Sequence, residues 1–188
     1  MLQRSCAHLV AAIFACSLGC TSIDVKTDYD KSADFSKFKT FAFAGMTDLN
    51  QAGLLSNSLL RKRIESAIGQ ELTKKGLKSV PLDQNPDLLV HYWMGVKDKQ
   101  VVEATAPAMG GYGWYGRYGY GGGYGGVTTY DYQEGTLIAD LIEPTKKDLV
   151  WRATMKADLE ATAAENSELL NKATAEAFKN YPPSKAQQ

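Results

Sequence analysis

The chain has 188 residues, is 44% hydrophobic and 22% charged, and balances 21 Lys+Arg against 21 Asp+Glu. That is enough apolar material for one domain whose core needs neither a disulfide framework nor a metal, and no cofactor is expected. The neutral balance excludes the one-sided basic excess of a nucleic-acid binder, so no nucleic-acid partner is expected either. Two residue types are unevenly spread: Cys6, Cys16 and Cys20 are the three cysteines, and ten of the 17 glycines lie between Gly110 and Gly126.

Arg4 precedes the apolar run from Leu9 to Cys16, and Ser17-Leu18-Gly19 then lead into Cys20. A positive start, a short apolar centre and small residues at the end have the anatomy of a secretory signal. The apolar run is too short to span a bilayer, which takes about 20 residues. Residues 17–20 resemble a bacterial lipobox in which the first and middle positions are exchanged. Cys16, preceded by Ile13-Phe14-Ala15, is a weaker match. The resemblance implies removal of residues 1–19, lipidation of Cys20 with acyl chains such as palmitate, and a tether over residues 20–22. One acyl chain holds a protein on a membrane only marginally, whereas two or more hold it stably. Thr21 in place of aspartate resembles lipoproteins destined for the outer membrane, here on its periplasmic face.

Ile23, Val25 and Thr27 alternate with Asp24, Lys26 and Asp28 and predict a strand. Turn-forming residues 28–34 separate it from a second strand over Phe38 to Phe43. Leu55, Leu59, Leu60, Ile64, Ile68 and Leu72 recur at helical spacing, with Ser56 or Asn57 as the cap and Gly76 as the stop. A short strand over Leu77 to Leu82 and a turn at Asn85-Pro86-Asp87 lead to a long strand from Leu88 to about Glu103. In it Leu88, Val90, Tyr92, Met94 and Val96 share one face, and Leu89, His91, Trp93 and Lys97 the other.

After the glycine segment, Val127 to Gln133 and Thr136 to Ile142 predict two strands around Glu134-Gly135. A further strand places Leu149, Trp151, Ala153, Met155, Ala157 and Leu159 on one face. A helix from about Ser167 to Asn180 follows, stopped by Pro182-Pro183, and residues 184–188 form a disordered tail. These elements predict one α+β domain over residues 23–183. It is a mostly antiparallel sheet of six to seven strands with two helices packed on one face, without the βαβ alternation of nucleotide-binding folds.

Four groups of segments then form a recognisable pattern. The first runs from Cys20 to Val25 and through Asp28-Tyr29-Asp30 and Ala33 to Phe41; the second is Asn85-Pro86-Asp87-Leu88-Leu89-Val90. The third joins Glu134 to Ile142 with Leu149-Val150-Trp151-Arg152, and the last is Phe178-Lys179-Asn180-Tyr181-Pro182-Pro183. Together they resemble the bacterial lipoprotein family catalogued as domain of unknown function 4136. The resemblance implies a secreted lipoprotein, often with a Gly/Tyr-rich insertion, and no agreed activity. Ala42-Phe43 departs from the tryptophan that many members have there.

Residues 110–126 contain ten Gly, five Tyr, one Trp and one Arg. Such a composition predicts a flexible loop between two strands and matches no phosphate-binding fingerprint. Tyr112, Trp114, Tyr115, Tyr118, Tyr120 and Tyr124 could stack on sugar rings or pack on an envelope protein. His91 stands alone once residues 1–19 are removed, which is the pattern of a structural histidine. Asp28, Asp30 and Asp34 lack the Gly and Glu of a calcium loop, since Ala33 and Lys39 occupy those places. Turn and cap duty accounts for them.

The expected role is a non-enzymatic one, binding or structural support in the cell envelope, with the membrane as one partner and an envelope protein or peptidoglycan as another. An alternative is a carrier of a small apolar or glycan ligand, for which Tyr92, Trp93 and Trp151 would line a cavity. A more distant one is an envelope hydrolase, which needs titratable groups gathered around His91 or the aspartates.

Overall fold

Strand β1 (Ile23–Tyr29) alternates as its sequence does, with Ile23, Val25 and Tyr29 packed against the core. In the computed structural model of the chain, residues 22–48, 57–104 and 127–184 are described. The further elements are β2 (Thr40–Asp48), α1 (Ser58–Lys74), β3 (Lys78–Ser79), β4 (Leu88–Ala104), β5 (Val127–Glu143), β6 (Asp148–Asp158) and α2 (Ala163–Phe178). Six strands form one sheet in the order β1-β6-β5-β4-β2-β3. The Gly/Tyr-rich segment, Cys20 and the last four residues lie outside the described residues.

The helices form where the caps demand. Asn57 Oδ1 accepts the Leu60 N–H at 3.0 Å, and the helix ends at Gly76, whose φ of +91° admits few other residues. Helix α2 starts earlier than its apolar spacing suggests, because Thr162 and Glu165 make a reciprocal capping box. Both helices pack on one face of the sheet. Ile64, Ile68 and Leu72 of α1 and Ala173, Ala177 and Phe178 of α2 meet Tyr92, Leu141 and Trp151 of the sheet. The Tyr92 hydroxyl donates to Glu65 Oε1 of α1 at 2.8 Å, so its one polar atom is satisfied inside the core.

The α+β class with two helices on one face holds, but the sheet is mixed rather than mostly antiparallel. Strands β1, β6, β5 and β4 are antiparallel neighbours, whereas β2 runs parallel to both β4 and β3. The cause is the crossover: the chain leaves β2, passes through α1 and returns in the same direction. A β-α-β unit is therefore present.

A second difference concerns β5, one 17-residue strand where two were expected. Gly135 pairs in register with Val96 on one side and Ala157 on the other, so no turn forms there. A Cβ at this position would lie 2.8 Å from Leu159 Cδ2. The glycine serves a close approach. A third is Leu149, which is 41% exposed while Val150 is buried. The register slips between Leu141 and Ile142, so the inward alternation of β6 begins at Trp151.

Asp87 ties the start of β4 to the start of β2. Its Oδ2 accepts from the Lys39 N–H at 2.8 Å, the Thr40 N–H at 2.9 Å and the Thr40 hydroxyl at 2.9 Å. Thr40 Oγ1 in turn accepts the Asp87 N–H at 3.0 Å. Burial pushes this carboxyl up, but the Lys39 and Thr40 hydrogen bonds outweigh it and hold it below the usual carboxylate range. Asp87→Ala should therefore cost about 1–3 kcal/mol at neutral pH. A pKa lowered in the folded state stabilises above the unfolded value of about 3.9 and ceases to as pH falls through the folded one. Urea melts of wild type and variant should differ at pH 7, and the difference should shrink as pH falls through the lowered folded-state value of Asp87.

Candidate functional site: the open sheet face and its arm

The face of the sheet opposite the helices is carried by strand residues alone among the elements described. It holds the residues of β4 that alternate outward, Leu89, His91 and Trp93, paired in register with Ile142, Asp140 and Ile138 of β5. Arg152 of β6 pairs with Asp140 and with Asp28 of β1. Asp140 is 2% exposed, and the guanidinium grips both of its oxygens, Nε to Oδ1 at 2.7 Å and Nη2 to Oδ2 at 2.5 Å. The hydrogen bonds to Asp140 hold the Arg152 guanidinium above its already high range, against the effect of burial.

The same guanidinium sits over the Trp93 ring, 5.8 Å from its centroid. The His91 ring meets that of Trp93 edge-on at 4.2 Å, and its Nε2 lies 3.3 Å from the Thr47 hydroxyl of β2. An ion pair with a buried carboxylate and a half-exposed guanidinium thus sits beside a tryptophan, which the histidine flanks, on a half-exposed surface. Sequence reasoning placed His91 and Trp93 on this face but missed the Asp140–Arg152 pair. One charge inside each of two apolar strands joined by a short turn was the available signal.

Beyond the other strands β4 and β5 continue as a two-stranded arm. Pairing with β2 ends at Met94 and pairing with β6 at Glu134, while the β4–β5 register runs on from Asp98↔Gln133 to Ala104↔Val127. At about 3.4 Å per residue that is an arm of roughly 24 Å. Alternation carries the open face along it: Lys97 and Glu134, Lys99 and Tyr132, then Val101 and Tyr130 are successive cross-strand pairs. Lys99 donates to Glu134, which holds the lysine above and the glutamate below their ordinary ranges. Tyr130 is 55% exposed. Residues 105–126, with Tyr112, Trp114, Tyr115, Tyr118, Tyr120 and Tyr124, come between Ala104 and Val127 in the chain and lie outside the described residues.

The groups a hydrolase would need are not gathered here. Asp30 accepts from the Ser32 N–H and hydroxyl at 2.8 and 2.7 Å, and Asp34 from those of Ser36 at 3.2 and 2.6 Å. Both belong to turns, as expected, with Asp34 capping a single 3-10 turn at Phe35–Lys37. An open groove of about 610 Å³ lies at that end of the sheet, lined by Asp34, Lys37, Asp87, Glu143 and Lys146. Its carboxylates are engaged, Glu143 with Lys146 at 2.8 Å and Asp87 as described. Among the described residues no three His, Cys, Asp or Glu converge as a metal set, and no buried side-chain N or O lacks a partner. Nor do Tyr92, Trp93 and Trp151 share a cavity: Tyr92 and Trp151 lie in the core and Trp93 on the opposite face.

The family model described as domain of unknown function (DUF4136) matches residues 25–183. The chain belongs to the DUF4136 family. A DUF4136 family protein of Bacteroides thetaiotaomicron has the same fold, at 20% identity and a TM-score of 0.51 over 85% of this chain and 96% of that one. A PDZ domain protein of Parabacteroides distasonis matches at 19% identity and a TM-score of 0.48; the match covers 89% of this chain and only 38% of that longer one. The PelC dodecamer of Paraburkholderia phytofirmans matches at 14% identity and a TM-score of 0.47, over 84% and 95% of the two chains. Among curated proteins no sequence matches. The family description assigns no activity.

The segments that carry the DUF4136 resemblance meet in space. Phe35 from the first packs edge-on against Tyr181 from the last at 5.8 Å, and Tyr181 against Trp151 from the third at 5.6 Å. Thr40 meets Asp87, and Asp140 meets Arg152. In this DUF4136 domain the pattern residues are the joints of the fold, and the Asp140–Arg152 joint also shapes the open face.

Proposed function

We propose that this DUF4136 protein is a lipid-anchored envelope lipoprotein of the outer membrane, facing the periplasm, whose domain binds another envelope macromolecule without catalysing a reaction. Cys20 is the anchor. The open sheet face with its arm is the binding surface, and the aromatic residues between Tyr112 and Tyr124 extend it.

The observation that supports this most is the continuity of that face, from Trp93, His91 and Arg152 out to Val101 and Tyr130. Tryptophan and arginine are the residue types that dominate binding energy at the centre of interfaces. Here Asp140 holds Arg152, whose guanidinium lies over Trp93, so little side-chain entropy is left to lose on binding. A protein partner fits the mixture of apolar and charged groups better than a glycan alone.

A photoreactive amino acid at Tyr118 or Tyr130 in intact cells should give one discrete adduct, whereas the same group at exposed Lys62 of α1 should give none. Adducts absent from both Tyr118 and Tyr130, or identical from Lys62, would refute the binding role of this face.

A further inference from the structure

Both helices begin at the end of the sheet from which the arm projects, and the helix layer is not closed between their first turns. A cleft of about 90 Å³ opens there. Its floor is Met94, Leu137 and Met155, its walls include Leu60 of α1 and Leu170 of α2, and Ala157 stands at its edge. Thr136, Lys156 and Asn166 are the polar residues that line it. Asn166 is fully engaged, its amide donating to Glu160 O and Thr162 O and its Oδ1 accepting the Glu160 N–H. The cleft therefore offers a ligand apolar contact and no free hydrogen-bonding group from Asn166, which suits an alkyl chain.

The start of the described chain lies beside it. Ile23 pairs in register with Ala157, about 5 Å away between Cα atoms in such a ladder. Cys20 is three residues earlier, at most about 10 Å of extended chain.

We infer that the cleft holds a stretch of one acyl chain carried by Cys20. This rests on the lipid-anchor reading above. At the roughly 30 Å³ that a water molecule fills in the liquid, the cleft has room for about three methylenes. Inside a bilayer the same methylenes gain as much from lipid, so the cleft fills when the protein is away from the membrane and empties when the anchor inserts. An attached chain also acts at an effective concentration near millimolar, which free lipid in the periplasm does not match.

The test uses residues 20–188, which keep every described element and have Cys20 as their one thiol. Alkylation with N-octylmaleimide should raise Tm by about 5 °C over the N-ethylmaleimide adduct. Leu170→Lys, and independently Leu60→Lys on the opposite wall, should abolish that difference. Equal melting of the two adducts would overturn the inference, as would an octyl effect that survives both substitutions. Micromolar palmitate stabilising the ethyl adduct as much as the attached octyl group does would overturn it in favour of a carrier of free lipid. Because the alkyl group is attached chemically, none of these outcomes depends on whether the cell acylates Cys20.

Discussion

Trp151→Ala should destabilise the domain by about 3–5 kcal/mol, lowering the urea midpoint without changing the slope. Trp151 is 2% exposed and joins three elements. Its ring lies 4.6 Å from that of Phe178 at the end of α2, and 5.6 Å from Tyr181, which packs on Phe35 beyond β1. Truncation leaves a cavity between the sheet and α2 that a rigid strand on one side cannot close. Since a domain of this size is held by only about 5–15 kcal/mol in total, the variant should be partly unfolded near its growth temperature. Trp93→Ala is the informative contrast. That ring is half-exposed, gains from Arg152 and His91 rather than from a core, and should cost only about 1 kcal/mol. If the open face binds, Trp93→Ala weakens the adduct at Tyr130 while leaving the fold intact.

Arg152→Ala has the second large effect, about 2–3 kcal/mol. It removes both hydrogen bonds to Asp140 and leaves a carboxylate that is 2% exposed without its counter-charge. Complete burial of both partners would cost about 3–5 kcal/mol. The smaller figure reflects Arg152, whose side chain is 45% exposed and leaves a path for water. The double variant Asp140→Leu, Arg152→Leu removes the unpaired charge as well as the pair, and should return to within about 1 kcal/mol of wild type. Its open face would be more apolar and no longer hold Trp93 in place. Measuring stability and partner capture on the same three proteins separates the two roles of the pair.

Local periodicity made much of the fold legible. The faces of β4 and the apolar stripe and caps of α1 follow from spacing and from residues such as Asn57 and Gly76. What spacing could not supply was strand order. Whether β2 lies beside β4 in parallel or elsewhere depends on the crossover through α1, a contact between residues about 45 positions apart. Gly135 was misleading for a related reason. Glutamate-glycine between two apolar runs has the chemistry of a turn, while the demand it meets is the approach of Leu159 from another part of the chain. The Asp140–Arg152 pair was hidden because a charge on an apolar strand shows its partner only once the hairpin register is known. The site as a whole was half legible. His91 and Trp93 were placed on the right face, and the arm was foreshadowed by the length of β4. The tyrosines and tryptophan between Tyr112 and Tyr124 and the anchor at Cys20 lie outside the described residues, so they stand on composition and on resemblance.

The proposed role depends first on that anchor, because a binding surface beside the membrane requires the domain to be held there. Feeding cells an alkyne-bearing palmitate and comparing wild type with Cys20→Ala tests it most directly. Wild type should carry the label in the outer-membrane fraction, and Cys20→Ala should carry none and be released from the membrane. Label retained in Cys20→Ala, or wild type left unlabelled and soluble, would contradict that anchor.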